Sequence, residues 1–239
     1  MKLAGSSVLI TGASRGLGLA VGRLLAQRGA RLALTARGGA ALHRAAGELA
    51  HETEVFERPG DVADRTHLAA LVEGTTQRFG RIDILINNAS VVGPTPMPQL
   101  ADYPPDALDY VFRVNTLAPL YLAQRVLPGM RRQGRGLIIN VTSDAGTEAY
   151  PGWGGYGASK AALELASRVL AAELGPTGIR VYVVDPGEMN TQMHREAEPG
   201  VDLSHLASPD EVAPAFVHLL EAEPPELLRV RAQDLLVVR

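Results

Sequence analysis

The sequence predicts an α/β fold in which about seven parallel strands form a doubly wound sheet with helices on both faces. Three observations lead to this prediction. Short apolar segments alternate with segments of helical periodicity along the chain. A glycine-rich turn joins the first apolar segment to the first helical one. The length of 239 residues suits one large core, so residues 1–239 are predicted to form a single domain.

Six segments have the apolar composition of buried parallel strands. They lie near residues 7–11, 31–36, 54–57, 83–87, 136–142 and 179–184. The segments between them have helical periodicity, so each strand should return to the sheet through a right-handed helical crossover. Glycines directly after helical segments are predicted to end those helices, namely Gly29, Gly80 and Gly134.

Loops on the carboxyl edge of the sheet should surround the ligand. Residues 93–105 and 185–200 are rich in Pro and Gly and follow predicted strands. Open α/β sheets bind ligands at the edge where their parallel strands end. We therefore expect substrate loops near residues 90–105 and 188–207.

Composition excludes several classes of function. The net charge is −3 with interspersed signs, so no basic surface for nucleic acid is expected. The chain has no cysteine, which argues against disulfides and thiolate metal sites and is compatible with a cytoplasmic location. Its six histidines lack metal-ligand spacing, so no metal is expected. The N-terminal apolar run is too short for a signal peptide or a membrane span.

The segment Thr11-Gly12-Ala13-Ser14-Arg15-Gly16-Leu17-Gly18 follows the first predicted strand and opens a helix. Glycines let the backbone approach a diphosphate closely, and free N–H groups at the helix start favour an anion. Because no Gly-Lys-Ser or Gly-Lys-Thr follows, a triphosphatase loop is disfavoured. The turn therefore indicates a dinucleotide site whose expected contacts are Gly12, Ser14, Arg15, Gly16, Leu17 and Gly18.

The end of the second predicted strand bears on the choice of cofactor. An NAD site of this kind has an Asp or Glu there for the ribose 2′-hydroxyl, but this chain has Thr35-Ala36-Arg37-Gly38. Arg37 and Arg15 could together bind a 2′-phosphate. NADP is therefore favoured over NAD. The alternative is that Arg37 is simply a solvated loop residue.

Tyr156 and Lys160 form a candidate acid. They lie four residues apart in a helical segment, so both side chains rise from one helix face. A nearby ammonium favours the phenolate and is expected to lower the pKa of Tyr156. Only Lys2 and Lys160 are lysines among 23 basic residues. The alternative is an ordinary surface pair on a helix.

Ser143 ends another apolar strand and lies 13 residues before Tyr156. A hydroxyl at that edge can donate to a substrate carbonyl and hold it beside the phenol. Thr142 is the neighbouring alternative, although strand alternation turns it to the other face. A serine nucleophile is a poorer interpretation, since no Gly-x-Ser-x-Gly segment is present.

These motifs resemble the short-chain dehydrogenase/reductase family over roughly residues 5 to 220, and within it the 3-oxoacyl carrier-protein reductase type. The resemblance rests on the order and spacing of the glycine turn, Asn87-Asn88-Ala89, Asn115, Ser143, the Tyr156–Lys160 pair and Pro186-Gly187. It implies a Rossmann-type fold and hydride transfer between NADP(H) and a ketone or aldehyde.

The resemblance also implies a role for each matching residue. Tyr156 would donate the proton, Ser143 would stabilise the oxygen, Lys160 would hold the ribose, and Asn115 would hold a relay water. Ser90 stands where the family usually has Gly. The remaining implied cofactor contacts are Asp61 and Val62 at the adenine, Asn87 at the ribose, and Pro186, Gly187 and Thr191 at the nicotinamide.

The substrate and the assembly are less defined. Tyr150, Trp153 and the methionines of the loop after Gly187 could form an apolar wall for a carbonyl substrate or could simply pack. Helices near 105–133 and 154–174 suggest a homodimer. The divergent C-terminus leaves a homotetramer as the less secure alternative. A dinucleotide sensor without turnover and a sugar-nucleotide epimerase are the alternative functions.

Overall fold

The computed structural model describes residues 1–222 and 228–236, and seven strands lie in this part of the chain. The strands are β1 (Ser7–Thr11), β2 (Arg31–Thr35), β3 (Val55–Glu57), β4 (Ile84–Asn87), β5 (Gly136–Val141), β6 (Ile179–Asp185) and β7 (Arg229–Arg231). The helices are α1 (Gly16–Gln27), α2 (Gly39–Leu49), α3 (Arg65–Phe79), α4 (Pro105–Phe112), α5 (Ala118–Gln133), α6 (Gly154–Leu174), α7 (Gln192–Ala197), α8 (Pro209–Ala222) and α9 (Ala232–Leu236).

All strand pairs are parallel, and the sheet order is β3-β2-β1-β4-β5-β6-β7. In β1, Val8 is in register with Leu32 of β2 on one side and with Ile84 of β4 on the other. The chain therefore winds outward in both directions from β1. This reversal opens a crevice at the carboxyl ends of β1 and β4, where ligands bind in doubly wound sheets.

Two apolar layers cover the sheet. Val8 and Ile10 pack on one face with residues of α1, α2 and α8, including Leu25 and Phe216. Leu9 points to the other face, where residues of α3 and α5 such as Leu71 form the second layer. Successive strand residues alternate between faces, so burial on both faces explains the continuous apolar composition of the strands.

The six predicted strands and the doubly wound parallel sheet are confirmed. Gly29, Gly80 and Gly134 have φ values of 75°, 80° and 66° just past helix ends, a conformation that glycine adopts without strain. The segment predicted as one helix over 105–133 is instead divided by a π-helical turn at Arg113–Leu117. Within the described ranges, no helix is long and apolar enough to cross a membrane.

Candidate active site

A cavity of about 1310 Å³ lies at the carboxyl ends of β1, β4, β5 and β6. Its size and position suit a dinucleotide together with a small substrate. Most of the predicted site residues meet there, although they are far apart in the sequence. The predicted residues that line it are Gly12, Ser14, Arg15, Gly16, Leu17, Arg37, Asp61, Val62, Ser143, Tyr156, Lys160, Pro186, Gly187 and Thr191.

The glycine turn is shaped for close backbone approach. A Cβ on Gly12 would lie 2.9 Å from both Ala89 Cα and Asn88 Nδ2, and a Cβ on Gly18 would lie 2.5 Å from the Gly12 carbonyl oxygen. The first turn of α1 faces the cavity through Gly16 and Leu17. Backbone N–H groups at such a helix start favour a diphosphate, so this end of the cavity fits the predicted dinucleotide.

Two residues predicted to contact the cofactor, Asn87 and Gly18, do not line the cavity. Asn87 is 3% exposed inside the sheet, where its Nδ2 donates to Asn140 Oδ1 at 2.8 Å. The next residue, Asn88, lines the cavity and donates to the carbonyl oxygens of Thr11 and Gly12 at 3.0 and 3.1 Å. Strand alternation explains the difference, because neighbouring side chains point to opposite faces. Gly18 does not line the cavity and instead lets α1 pack against the turn.

The part of the cavity next to β2 carries a hydrogen-bonded chain of side chains. Arg37 Nη1 donates to the Tyr110 hydroxyl at 3.1 Å, and that hydroxyl donates to Asp61 Oδ2 at 2.7 Å. Arg15 Nη1 donates to Gln192 Oε1 on α7. Both predicted arginines therefore line the cavity but contact different partners. Tyr110 was not predicted, since a single tyrosine on a helical segment gives no signal in the sequence.

Tyr156 and Lys160 lie in α6 and are only 6% and 2% exposed. Lys160 Nζ donates to the Val141 carbonyl oxygen at 2.8 Å and lies 5.5 Å from the centroid of the Tyr156 ring. The pair therefore faces the cavity and is not an ordinary surface pair. Both side chains reach the carboxyl end of β5.

The expected lowering of the Tyr156 pKa is wrong for the folded chain. Burial raises the pKa of Tyr156 to about 12, although hydrogen bonds with Ser143 and Ser90 act to lower it. Burial also lowers the pKa of Lys160 to about 8, against the opposing effect of the Glu164 and Asp185 carboxylates. Loss of hydration disfavours both charged forms, and it outweighs the hydrogen bonds of the two serines at Tyr156 and the carboxylates of Glu164 and Asp185 at Lys160.

Two serine hydroxyls face the Tyr156 hydroxyl. Ser143 follows β5, donates to Asp144 Oδ1 at 2.9 Å and hydrogen-bonds Tyr156. Ser90, which replaces the glycine usual in the resembling family, hydrogen-bonds Tyr156 as well and donates to Asn115 Oδ1 at 3.1 Å. The glycine-to-serine difference therefore adds a hydroxyl beside the candidate acid. Its position in the loop after β4 gave no indication of this contact.

The side chain of Asn115 is fully occupied by protein partners. It lies in the π-helical turn, is 1% exposed, and its Oδ1 accepts from Val91 N at 2.9 Å. Its Nδ2 donates to the Val91 carbonyl oxygen at 2.8 Å and to Ser159 Oγ at 3.0 Å. The side chain thus ties the loop after β4 to α6, and only the backbone of Asn115 remains to hold the predicted water.

The loop after β6 forms one wall of the cavity. Thr191 caps α7 by accepting from His194 N at 3.2 Å. Trp153 lies edge-on to Tyr156 with ring centroids 5.6 Å apart, and it packs with Met97 and Met193. These apolar side chains therefore pack together, and Trp153 and Met193 also line the cavity.

No group of three or more candidate metal ligands occurs among residues 1–222 and 228–236.

Fold and site together define an oxidoreductase built on a dinucleotide-binding sheet. The family model for short chain dehydrogenase matches residues 6–202, and the chain belongs to that family. An uncharacterized oxidoreductase of Staphylococcus aureus (strain USA300) is 33% identical over 212 residues, covering 89% of each chain. The 1-deoxy-11-beta-hydroxypentalenate dehydrogenase of Streptomyces avermitilis is 37% identical over 82% of this chain and 73% of its own length.

Solved structures agree with this assignment. An alcohol dehydrogenase from the archaeon Thermococcus sibiricus, complexed with 5-hydroxy-NADP, superposes with a TM-score of 0.84 and 29% identity, covering 95% of both chains. Structures of this fold include complexes with NAD+ and with NADP. The family binds a nicotinamide dinucleotide, and the choice between the two forms depends on residues particular to this chain.

Proposed function

We propose that the protein is an NADP(H)-dependent oxidoreductase that interconverts a ketone or aldehyde and the corresponding alcohol. One observation carries the proposal: Tyr156, Ser143 and Lys160 line the same cavity as the glycine turn. This arrangement places a proton donor and an oxygen-stabilising hydroxyl beside a dinucleotide site. NADPH would supply the hydride.

The chain's own residues handle the carbonyl oxygen. The Tyr156 hydroxyl donates its proton to that oxygen as negative charge develops. The Ser143 hydroxyl turns from Asp144 Oδ1 and donates a hydrogen bond that holds the oxygen in place. Lys160 compensates the charge left on Tyr156 and fixes the ribose. The backbone of Asn115 holds the water through which solvent returns the proton. Ser90 adds a second hydroxyl contact to the phenol.

The raised pKa of Tyr156 suits the reductive direction. With a pKa of about 12, the phenol is fully protonated near neutral pH and ready to act as an acid. An alkoxide is a stronger base than a phenolate, so proton transfer from Tyr156 is downhill once the alkoxide forms. Oxidation of the alcohol would instead need the phenolate and should be favoured at higher pH.

The preference for NADP rests on the end of β2. Thr35, Ala36 and Arg37 supply no carboxylate there, and the Thr35 hydroxyl donates to the Arg58 carbonyl oxygen at 2.8 Å. Arg37 and Arg15 both line the cavity, and the side-chain partner of each within residues 1–222 and 228–236 is neutral. A 2′-phosphate could therefore recruit both cations by charge-assisted hydrogen bonds.

We expect wild-type protein to bind NADPH more tightly than NADH, by about tenfold or more, because charge-assisted hydrogen bonds are each worth about 1.5–3 kcal/mol. The double change Ala36→Asp with Arg37→Gln should reverse this order, since Asp accepts from the ribose 2′-hydroxyl and repels a phosphate. Fluorescence titration with both cofactors measures the ratio. Arg44→Gln, on the following helix, is a matched control. Equal wild-type affinities would contradict the assignment.

We also propose a homodimer built on α5 and α6. Leu117, Leu165 and Val169 are 46%, 64% and 50% exposed on the π-helical turn and α6, and such apolar side chains favour a covered face. Light scattering at micromolar concentration should give twice the monomer mass. Leu165→Glu should shift the mass towards the monomer, whereas Val201→Glu between α7 and α8 should not. A monomeric wild type would refute the dimer.

The substrate is proposed to be an apolar ketone or aldehyde, because Trp153 and Met193 form part of the cavity wall beside Tyr156. NADPH oxidation followed with a panel of ketones, aldehydes and acyl thioesters tests the reaction. Turnover with a ketone or aldehyde is expected. Binding of NADPH without any turnover would instead favour a sensor.

From the absence of cysteine we propose that the protein acts in the cytoplasm.

A further inference from the structure

A buried ionic network lies directly behind the proposed catalytic residues. Glu164 and Asp185 are each only 3% exposed. Arg229 Nε donates to both carboxylate oxygens of Glu164 at 3.2 Å, and Arg229 Nη2 donates to Asp185 Oδ2 at 3.1 Å. One guanidinium from the last strand thus holds two buried carboxylates from α6 and β6.

Each carboxylate also holds a segment of the site. Glu164 Oε1 accepts from Thr142 Oγ1 at 2.8 Å, directly before Ser143. Asp185 Oδ1 accepts from the backbone N of Gly187 at 3.0 Å, in the turn expected against the nicotinamide. The network therefore joins the end of β5, the catalytic helix and the turn after β6.

Charge also links the network to Lys160. Glu164 lies one helical turn after Lys160, and its carboxylate and that of Asp185 favour the ammonium against the effect of burial. The two carboxylates and Arg229 together carry a net charge of −1, and Arg168 approaches Glu164 from the surface at 3.6 Å. Tyr156, neutral when protonated, is the other titratable group that faces Lys160.

A second contact comes from the same C-terminal segment. A Cβ on Gly187 would lie 2.8 Å from Gln233 Nε2 on α9, so α9 packs closely on the turn that Arg229 supports through Asp185. The C-terminal segment therefore contacts the site at two places. Arg229 contacts α6 through Glu164, and Gln233 contacts the turn at Gly187. Arg229 and Gln233 were not indicated by the sequence motifs.

We propose that Arg229 is a positioning residue, which sets Ser143, Lys160 and the Pro186-Gly187 turn in their working arrangement through Glu164 and Asp185. This inference rests on the proposed function. Removing one partner of a buried pair leaves an uncompensated charge, whereas removing both partners is much better tolerated. Small displacements of reacting groups can lower a rate by about 10²-fold.

The test compares Arg229→Gln with Arg168→Gln, using kcat, the NADPH dissociation constant from fluorescence titration, and thermal unfolding. Arg168 Nη2 approaches the same Glu164 carboxylate at 3.6 Å from the surface, so it is a matched control. Arg229→Gln should lower kcat by about tenfold or more and weaken NADPH binding several-fold. Arg168→Gln should stay within about twofold of wild type.

Two further variants separate positioning from a merely structural role. Arg229→Gln with Glu164→Gln removes both charges and should recover part of the lost kcat. Glu164→Gln alone should move the alkaline limb of the pH–kcat profile to lower pH, because Lys160 loses a carboxylate that favours its ammonium. If Arg229→Gln does not fold, the pH–kcat profile of Glu164→Gln tests the proposal on its own.

Wild-type kcat and NADPH affinity in Arg229→Gln would overturn the proposal and leave the proposed function intact. An unmoved alkaline limb in Glu164→Gln would also contradict it. If wild-type protein shows no turnover with any carbonyl, the proposed function fails, and the NADPH dissociation constants of the Arg229 and Arg168 variants then decide the proposal.

Discussion

Replacing Tyr156 by phenylalanine is expected to lower kcat for carbonyl reduction by a factor on the order of 10² to 10⁴, the usual contribution of a positioned acid. The substitution removes only a hydroxyl from a side chain that is 6% exposed and packs edge-on to Trp153. The ring and its contacts are retained, so NADPH affinity and thermal stability should stay close to wild type. Steady-state kinetics with the best carbonyl of the panel measures the effect.

Tyr150→Phe is the matched control for the Tyr156 prediction. Tyr150 also lines the cavity, but its hydroxyl donates to Asp144 Oδ2 at 3.0 Å and the residue is 44% exposed. Loss of that hydroxyl should change kcat by less than about tenfold, because it is not the proposed acid. A rate near that of wild type in Tyr156→Phe would reassign the proton donor.

Replacing Lys160 by arginine should lower kcat by at least about tenfold, which corresponds to roughly 1.4 kcal/mol of barrier, and should weaken NADPH binding. Lys160 is 2% exposed and its ammonium is fixed on the Val141 carbonyl oxygen. A planar guanidinium is larger and presents its donors in a different geometry. Lys160→Met, which removes the charge, should lose more activity than the arginine variant.

The pH profile distinguishes charge from position at Lys160. In the wild type the pKa of Lys160 is lowered to about 8, so the ammonium is present below this pH and is lost as the pH rises through it. The reductive kcat should fall over the same range. Arginine stays charged at all working pH values, so the alkaline fall should be absent in Lys160→Arg. Wild-type turnover and NADPH affinity in that variant would show that charge alone suffices.

The sequence predicted the sheet and most of the cavity wall because those features depend on local patterns. Apolar runs such as Val8-Leu9-Ile10 indicate a strand that is buried on both faces of the sheet. Parallel strands bring their carboxyl ends to one edge of that sheet. The glycine turn, Ser143 and the Tyr156–Lys160 pair each sit at such an end or on the facing helix. Their convergence therefore follows from the topology.

Other features depend on tertiary contacts between distant segments. Asn87 was predicted to contact the cofactor, but its neighbour Asn88 is the residue that lines the cavity. Which of the two side chains faces the cavity depends on the orientation of β4 in the folded chain. The Tyr156 pKa depends on the water excluded by the folded chain, which no helix pattern reveals. Strand β7 is only three residues long, and its alternation of Arg and Val does not indicate which residues its arginines contact, so only the fold brings Arg229 to Glu164.

The most direct test of the central claim follows the hydrogen itself. Wild-type protein is given a reactive ketone or aldehyde and NADPH with deuterium at both C4 positions of the nicotinamide, and the alcohol is analysed by mass spectrometry and NMR. The account predicts one deuterium on the carbinol carbon. It also predicts none there when unlabelled NADPH is used in D₂O, because the Tyr156 proton goes to oxygen. Solvent deuterium on that carbon, or NADPH binding with no alcohol formed from any carbonyl, would contradict it.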